Sequence, residues 1–365
     1  MADHLFRIVV KSIGTAQPAA SAAIASGLGL PVTTVISRLY SAPAVLIDGI
    51  EESIATGMAK LLSSIGYEAE AQDATLPPPA NSTLYDVAIY LNDVRLFQHV
   101  IEQVAEFTGI AEEDATQMVL SPPGVILGSV SKASVDALSD RLGPEVSVLS
   151  SQADTAHYNL FLSEDAGSLI HRRILQSLNS AKIELCNTSG LVAINLDHAT
   201  ARELWQRHQS SGLLRVVNQD FLRFDLVLQV SKSNNAVNRT QIEALEKLAG
   251  IPPDMAEEVV QAAPITLLES VPDVEVAPLM ANFAEADLSV QADMITFQML
   301  GLEILSLSDS AATIQALEGF ALIRQGDRLP EPPFVIPGVM PELKARIIRT
   351  ALEDTGAKIT FAASC

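Results

Sequence analysis

The chain has 365 residues, 48% hydrophobic and 18% charged, a composition that excludes a mostly disordered polymer and predicts two or three domains, or more if the units are small. With 23 Lys and Arg against 44 Asp and Glu, the net charge of −21 repels nucleic-acid phosphates and anionic lipid. The two cysteines, Cys186 and Cys365, exclude a disulfide framework, and no run approaches the ~18 apolar residues of a membrane span. The start, Met1-Ala2-Asp3-His4, lacks the basic-then-apolar order of a secretory signal, so a soluble cytoplasmic protein is expected.

In chain order, Phe6–Lys11 alternates as a strand, and Ala19–Ala25 is an Ala-rich helix broken at Gly27-Leu28-Gly29-Leu30. Pro31 suits the first turn of a second helix, which Ser41-Ala42-Pro43 stops. Ala44–Ile47 reads as a strand and Asp48-Gly49 as a turn. Ile54, Met58, Leu61 and Leu62 read as the apolar face of a third helix, capped by Gly66, and Tyr67–Ala71 closes the unit. The order is β-α-α-β-α-β.

The order recurs with strands at Asp86–Leu91, Val125–Leu127 and Glu145–Leu149 around helices at Leu96–Phe107, Glu112–Val119 and Ser134–Leu142. A third unit runs from Tyr158–Leu162 through helices near Leu169–Leu178 and Ala199–His208 to Leu213–Val217. A fourth starts at Phe224–Val230, with helices at Ile242–Leu248, Met255–Val260 and Val276–Phe283 and a last strand near Leu288–Gln291. A fifth starts near Thr296–Leu300 and continues through Phe334–Ile336, a turn at Pro337-Gly338, Leu343–Leu352 and Lys358–Phe361. The helix-ending glycines Gly66, Gly143, Gly212 and Gly356 lie 77, 69 and 144 residues apart, the last interval spanning two units.

The expected fold class is therefore α+β: five tandem modules at 1–73, 85–150, 156–218, 223–293 and 294–365, with a Pro-rich linker at 74–84. Cores this small predict that neighbours in the chain pack on one another. The single tryptophan, Trp205, is expected in a core or a module interface.

Ser26–Leu30, Ser41–Ala44, Asp48-Gly49 and Ile65–Glu68 together resemble the C-terminal domain of the bacterial ribosomal stalk protein. Thr108-Gly109-Ile110 and Ser121–Gly124 repeat the resemblance in the second unit, and Leu91–Val94 is similar to the start of the first helix in ClpS, the N-degron adaptor of the same superfamily. The resemblance implies a three-stranded antiparallel sheet with helices on one face. It imports no function, since the helices matching the stalk's GTPase-contacting ones, Ala19–Ser26 and Pro31–Ser37, hold no basic residue.

Asn92 and Asp93 pair an amide with a carboxylate, a set that binds an amine or caps a helix. His171, Arg172 and Arg173 form a small basic patch on a helix, suited to a partner or to solvent. Gly27-x-Gly29 lacks the remainder of a phosphate loop, the six histidines have no metal spacing, and acidic pairs such as Glu112-Glu113 sit at helix starts, where the dipole favours them. No catalytic residue, metal or cofactor is expected. The sequence points to a non-catalytic protein-binding scaffold or adaptor whose partner it does not name. The alternatives are a self-assembling structural subunit of a larger machine and an adaptor for a AAA+ protease or GTPase acting through modules one and two.

Overall fold

In a computed structural model, the described residues are 5–17, 19–80, 82–163, 168–180, 183, 185, 190–230 and 237–362. Cys186 and Cys365 lie outside them. They form five separate three-stranded antiparallel sheets, each with helices nearby.

Module one comprises β1 (Leu5–Ser12), α1 (Ala19–Leu28), α2 (Val32–Tyr40), β2 (Ala44–Glu51), α3 (Glu52–Ser64) and β3 (Glu68–Asp73). Module two follows with β4 (Leu84–Leu91), a 3₁₀ turn at Val94–Leu96, α4 (Phe97–Thr108), α5 (Glu112–Leu120), β5 (Val125–Ser131), α6 (Lys132–Leu142) and β6 (Val146–Ser151). Module three has β7 (Tyr158–Leu162), α7 (Ser168–Ser180), β8 (Leu191–Leu196), α8 (His198–His208) and β9 (Leu214–Asn218). Module four has β10 (Arg223–Leu228), α9 (Arg239–Ala249), α10 (Ala256–Gln261), β11 (Ile265–Pro272), α11 (Asp273–Glu285) and β12 (Val290–Met294). Module five has β13 (Met299–Ser306), α12 (Ser310–Gly319), β14 (Phe334–Pro341), α13 (Glu342–Glu353) and β15 (Lys358–Ala362). There the second helix is replaced by turns around Gly326, before Pro330, Pro332 and Pro333, which supply no backbone donors for a helix.

Each module places its first strand between the other two. The central strand is accordingly the most apolar: Ile8, Val9 and Val10 of β1 are buried, as are Val87, Ala88 and Ile89 of β4.

The turns read at Asp48-Gly49 and Pro337-Gly338 are bulges inside a continuous second strand. The residue before the partner of Phe6, Tyr85, Tyr158 or Phe224 takes a positive φ: Gly49 at 75°, Ser129 at 57°, Asn195 at 60° and Ser270 at 56°. Glycine adopts this conformation freely, whereas the other side chains are strained there. Modules two, three and four hold the strained residue from the first strand. Asp86 accepts from the Ser129 N–H at 3.0 Å, Asn159 from the Asn195 N–H at 3.2 Å and Asp225 from the Ser270 N–H at 2.9 Å. In module one Gly49 needs no such bracket, and the same first-strand position is Arg7, whose Nε lies 3.7 Å from Asp48. In module five the positive φ falls one residue earlier, at Gly338, and the first-strand position is Gly301.

The third helices also correct the sequence reading. In α3 the buried side is Ala55, Ala59 and Leu62, with Met58 half-buried, while Ile54 and Leu61 face outward. Trp205 is 45% exposed on α8, because Ala201 and Leu204 form that helix's buried side and the next residue turns about 100° away.

The chain divides into two compact units. The first joins residues 1–153 to 299–365, and the second is 154–298. Chain order is thus not packing order, since module five belongs with modules one and two. Modules one and two share one hydrophobic core, which includes Val35, Leu39 and Leu62 on one side and Val104, Phe107 and Leu138 on the other. In the second unit modules three and four keep separate cores. Between them, Phe297 after β12 packs against Phe161 of β7, ring centroids 4.8 Å apart, and lies 5.7 Å from the Arg215 guanidinium.

Candidate protein-binding surfaces

The first helix pair of module one is exposed along one side. Gly29, with φ of 65°, ends α1, and Pro31 precedes α2. Val35 and Leu39 anchor α2 to the core, which turns Val32 and Ile36, one helical turn apart, to solvent at 43% and 38% exposure. Beside them α1 offers the small, exposed Ala22, Ala23 and Ser26. The result is an apolar ridge next to a flat surface.

The same step of modules two and four has different chemistry. The first turn of α5 exposes Glu112, Glu113 and Asp114, and α10 exposes Glu257 and Glu258 behind Met255. Carboxylates at a helix N-terminus are favoured by its dipole, so they are stable there without a partner.

Among the described residues, modules one and two each carry an open, shallow depression. One, of about 640 Å³, lies between Thr56, Ala59, Lys60 and Ser63 of α3 and Ala69 and Ala71 of β3. The other, of about 350 Å³, lies at Gln117, Met118, Ser121, Pro122 and Val125. Both are open and lined by small or neutral groups apart from Lys60. Among the described residues no three His, Cys, Asp or Glu side chains gather as a metal-ligand set, and no single helix is long and apolar enough to cross a membrane.

Asn92 and Asp93 sit where β4 leaves its sheet. The Asp93 carboxylate accepts the Arg95 N–H at 2.9 Å, which makes it the cap of the 3₁₀ turn. The Asn92 side chain donates to Ser147 at 3.1 Å. What the sequence reading missed is Arg346 of α13, three modules further along the chain. Its guanidinium donates to the Leu91 carbonyl at 3.1 Å, the Asn92 carbonyl at 2.7 Å and the Tyr90 hydroxyl at 2.8 Å, and lies 5.6 Å from the Tyr90 ring. Asp354 adds an exposed ion pair to Arg95 at 3.8 Å. No local signal marks this contact, because backbone carbonyls are identical at every residue. In the second unit, the basic patch of α7 has Arg172 and Arg173 exposed and His171 half-buried.

A second arginine works in the same way between modules one and two. Arg141 of α6 donates to the Gly14 carbonyl at 3.1 Å and the Ala16 carbonyl at 2.8 Å, where β1 leaves its sheet, and lies 5.0 Å from the Phe107 ring. That exit is rigid. Thr15 donates to the Gly66 carbonyl at 3.0 Å, and a Cβ on Gly66 would lie 2.7 Å from the Ala16 nitrogen. Around it Ser134 donates to the Tyr40 carbonyl at 2.8 Å, and the Tyr40 hydroxyl donates to the Phe107 carbonyl. Burial pushes the Tyr40 hydroxyl well above its ordinary pKa, with Tyr67 adding to the rise and Arg141 opposing it. Burial likewise raises Tyr67, against Arg141, and its hydroxyl has no hydrogen-bond partner among the described residues.

Comparison with known protein families, with curated proteins and with solved structures finds no match.

Proposed function

We propose that the chain is a non-catalytic cytoplasmic scaffold or adaptor that binds protein partners through the first helix pairs of its modules. The observation that carries this reading is that one frame presents different chemistry at the same step: an apolar Val32–Ile36 ridge in module one and exposed carboxylates in modules two and four. Repetition of a frame with divergent surfaces suits the holding of several ligands at fixed spacing. A ridge of two aliphatic side chains beside small residues suits the apolar side of a partner helix or extended peptide. The resemblance of modules one and two to stalk and ClpS domains makes these the modules to vary first.

The test is affinity capture by the full chain from its native lysate, followed by calorimetry with the purified partner. A one-to-one complex weakened at least tenfold by V32E/I36E, with an unchanged melting curve, is the expected result. A partner whose affinity ignores substitutions on every first helix pair, or no stoichiometric partner at all, overturns the proposal.

A further inference from the structure

The join between modules one and two differs from the other joins. Those modules are held together by the core they share and by Arg141, so the join does not set their spacing. It is nevertheless the longest in the chain. It takes residues 74–83, where residues 219–222 suffice between modules three and four and residues 295–298 between modules four and five. No acidic or basic residue lies between Asp73 and Asp86, and the prolines Pro77, Pro78 and Pro79 are consecutive.

The root of the segment is fixed to module one. The Ala74 N–H donates to the Leu5 carbonyl at 2.9 Å and the Leu76 N–H to the Asp73 carbonyl at 3.1 Å. The Asp73 carboxylate accepts the Thr75 N–H at 2.8 Å and the Thr75 hydroxyl at 2.7 Å. Beyond Leu76 the prolines bring no N–H, so neither a helix nor a strand ladder takes up the chain. Each ring fixes φ near about −65°, and each following proline holds Leu76, Pro77 and Pro78 in extended backbone. Both constraints favour the polyproline helix, whose three residues per turn set successive side chains on successive edges. Leu76 is 51% exposed, and Pro77 and Pro78 are exposed beside it.

We infer that residues 76–79 are a polyproline ligand for a partner domain with an aromatic-lined groove. Such a groove packs its rings against proline rings and an adjoining aliphatic side chain. A segment rooted at one end and stiffened by its own prolines loses little conformational entropy when it enters that groove. The uncharged run gives a charge-reading pocket nothing to pair with, so the recognising groove is one that reads proline and leucine by shape. The segment is separate from the first helix pairs, so failure of this inference leaves the scaffold reading untouched.

Isotope-labelled SH3, WW and EVH1 domains, the classes that carry such a groove, are each titrated with the unlabelled full chain and followed by NMR. At least one domain is expected to bind, with its shifted signals confined to the aromatic groove. P77S/P78S alters only the two exposed prolines and is expected to weaken that binding at least tenfold with an unchanged melting curve. L76S takes its place where the melt shifts. A full chain that binds none of the three domains overturns the inference. So do shifts that fall outside the groove, and so does binding that the variant leaves undiminished, which places the contact elsewhere on the chain.

Discussion

Helices α3 and α6 occupy the same step of the same module, yet their outward sides are opposite in kind. Facing their own sheets they agree: Ala55, Met58 and Leu62 on α3 match Val135, Leu138 and Leu142 on α6, and α13 repeats them as Ala345, Ile348 and Leu352. On the other side α6 sets polar Ser134 and Arg141 against a neighbour, while α3 sets aliphatic Ile54 and Leu61 against solvent. A module's own core tolerates only apolar residues in a fixed rhythm. A contact between modules is free to use a guanidinium, provided carbonyls receive it. In a repeat protein, the side-chain type therefore does not reveal which face of a helix is covered.

The strongest way to break this comparison is through the core that modules one and two share. Phe107→Ala removes a fully buried ring at their junction and is expected to cost about 3–5 kcal/mol, with residues of both modules losing hydrogen-exchange protection together. Protection lost from module two alone would separate the modules. Next, Arg141→Ala is expected to cost about 1.5–3 kcal/mol in urea unfolding, as loss of charge-assisted bonds to two carbonyls requires. The matching Leu61→Ala on α3, in dilute protein, is expected to stay within about 0.5 kcal/mol of wild type. Equal costs would erase the distinction between a docked and a bare helix.

A smaller effect belongs to the bulges. Asp86→Ala frees the exposed, strained Ser129 N–H to water and is expected to cost about 0.5–1.5 kcal/mol. Adding Ser129→Gly is expected to recover about 1 kcal/mol, because glycine adopts a positive φ without strain. No recovery would mean that Asp86 acts through something other than the bulge. The smallest effect is in the third helix of module four. There burial, and then Asp220, raise the pKa of the Asp273 carboxyl. A carboxyl that holds its proton more tightly when folded adds stability at low pH, and that stability is lost as pH rises through its folded pKa. Asp273→Asn is therefore expected to raise the urea midpoint near neutral pH, with the gap closing below about pH 3.8.

The repeat was legible because its punctuation is chemical. The glycines at 66, 143, 212 and 356 all take the positive φ that ends a helix cleanly, and the three-stranded antiparallel sheets follow the expected order. The bulges were misread as turns, since Asp48-Gly49 has the composition of either. The strand Ile265–Pro272 was not read at all, because Ser270 and its bulge interrupt the alternation. Ile54 and Leu61 were assigned to a buried face because apolar residues at helical spacing ordinarily lie there. For the candidate surfaces, the capping chemistry of Asp93 was open to inspection, whereas the return of module five onto module two was not. Arg346 recognises carbonyls 254 and 255 residues away, and nothing in the intervening sequence encodes that distance.

That return is the central claim, and Tyr90 reports on it directly. Hydroxyl-radical footprinting of the dilute full chain, read by mass spectrometry, measures how fast each side chain is oxidised. With Arg346 against it, Tyr90 is expected to react slowly for a tyrosine, and Arg346→Ala is expected to raise its rate while Leu61 stays unchanged. A Tyr90 that reacts at the full rate of an exposed tyrosine in the wild type, and does not respond to Arg346→Ala, would contradict the docking of module five on module two.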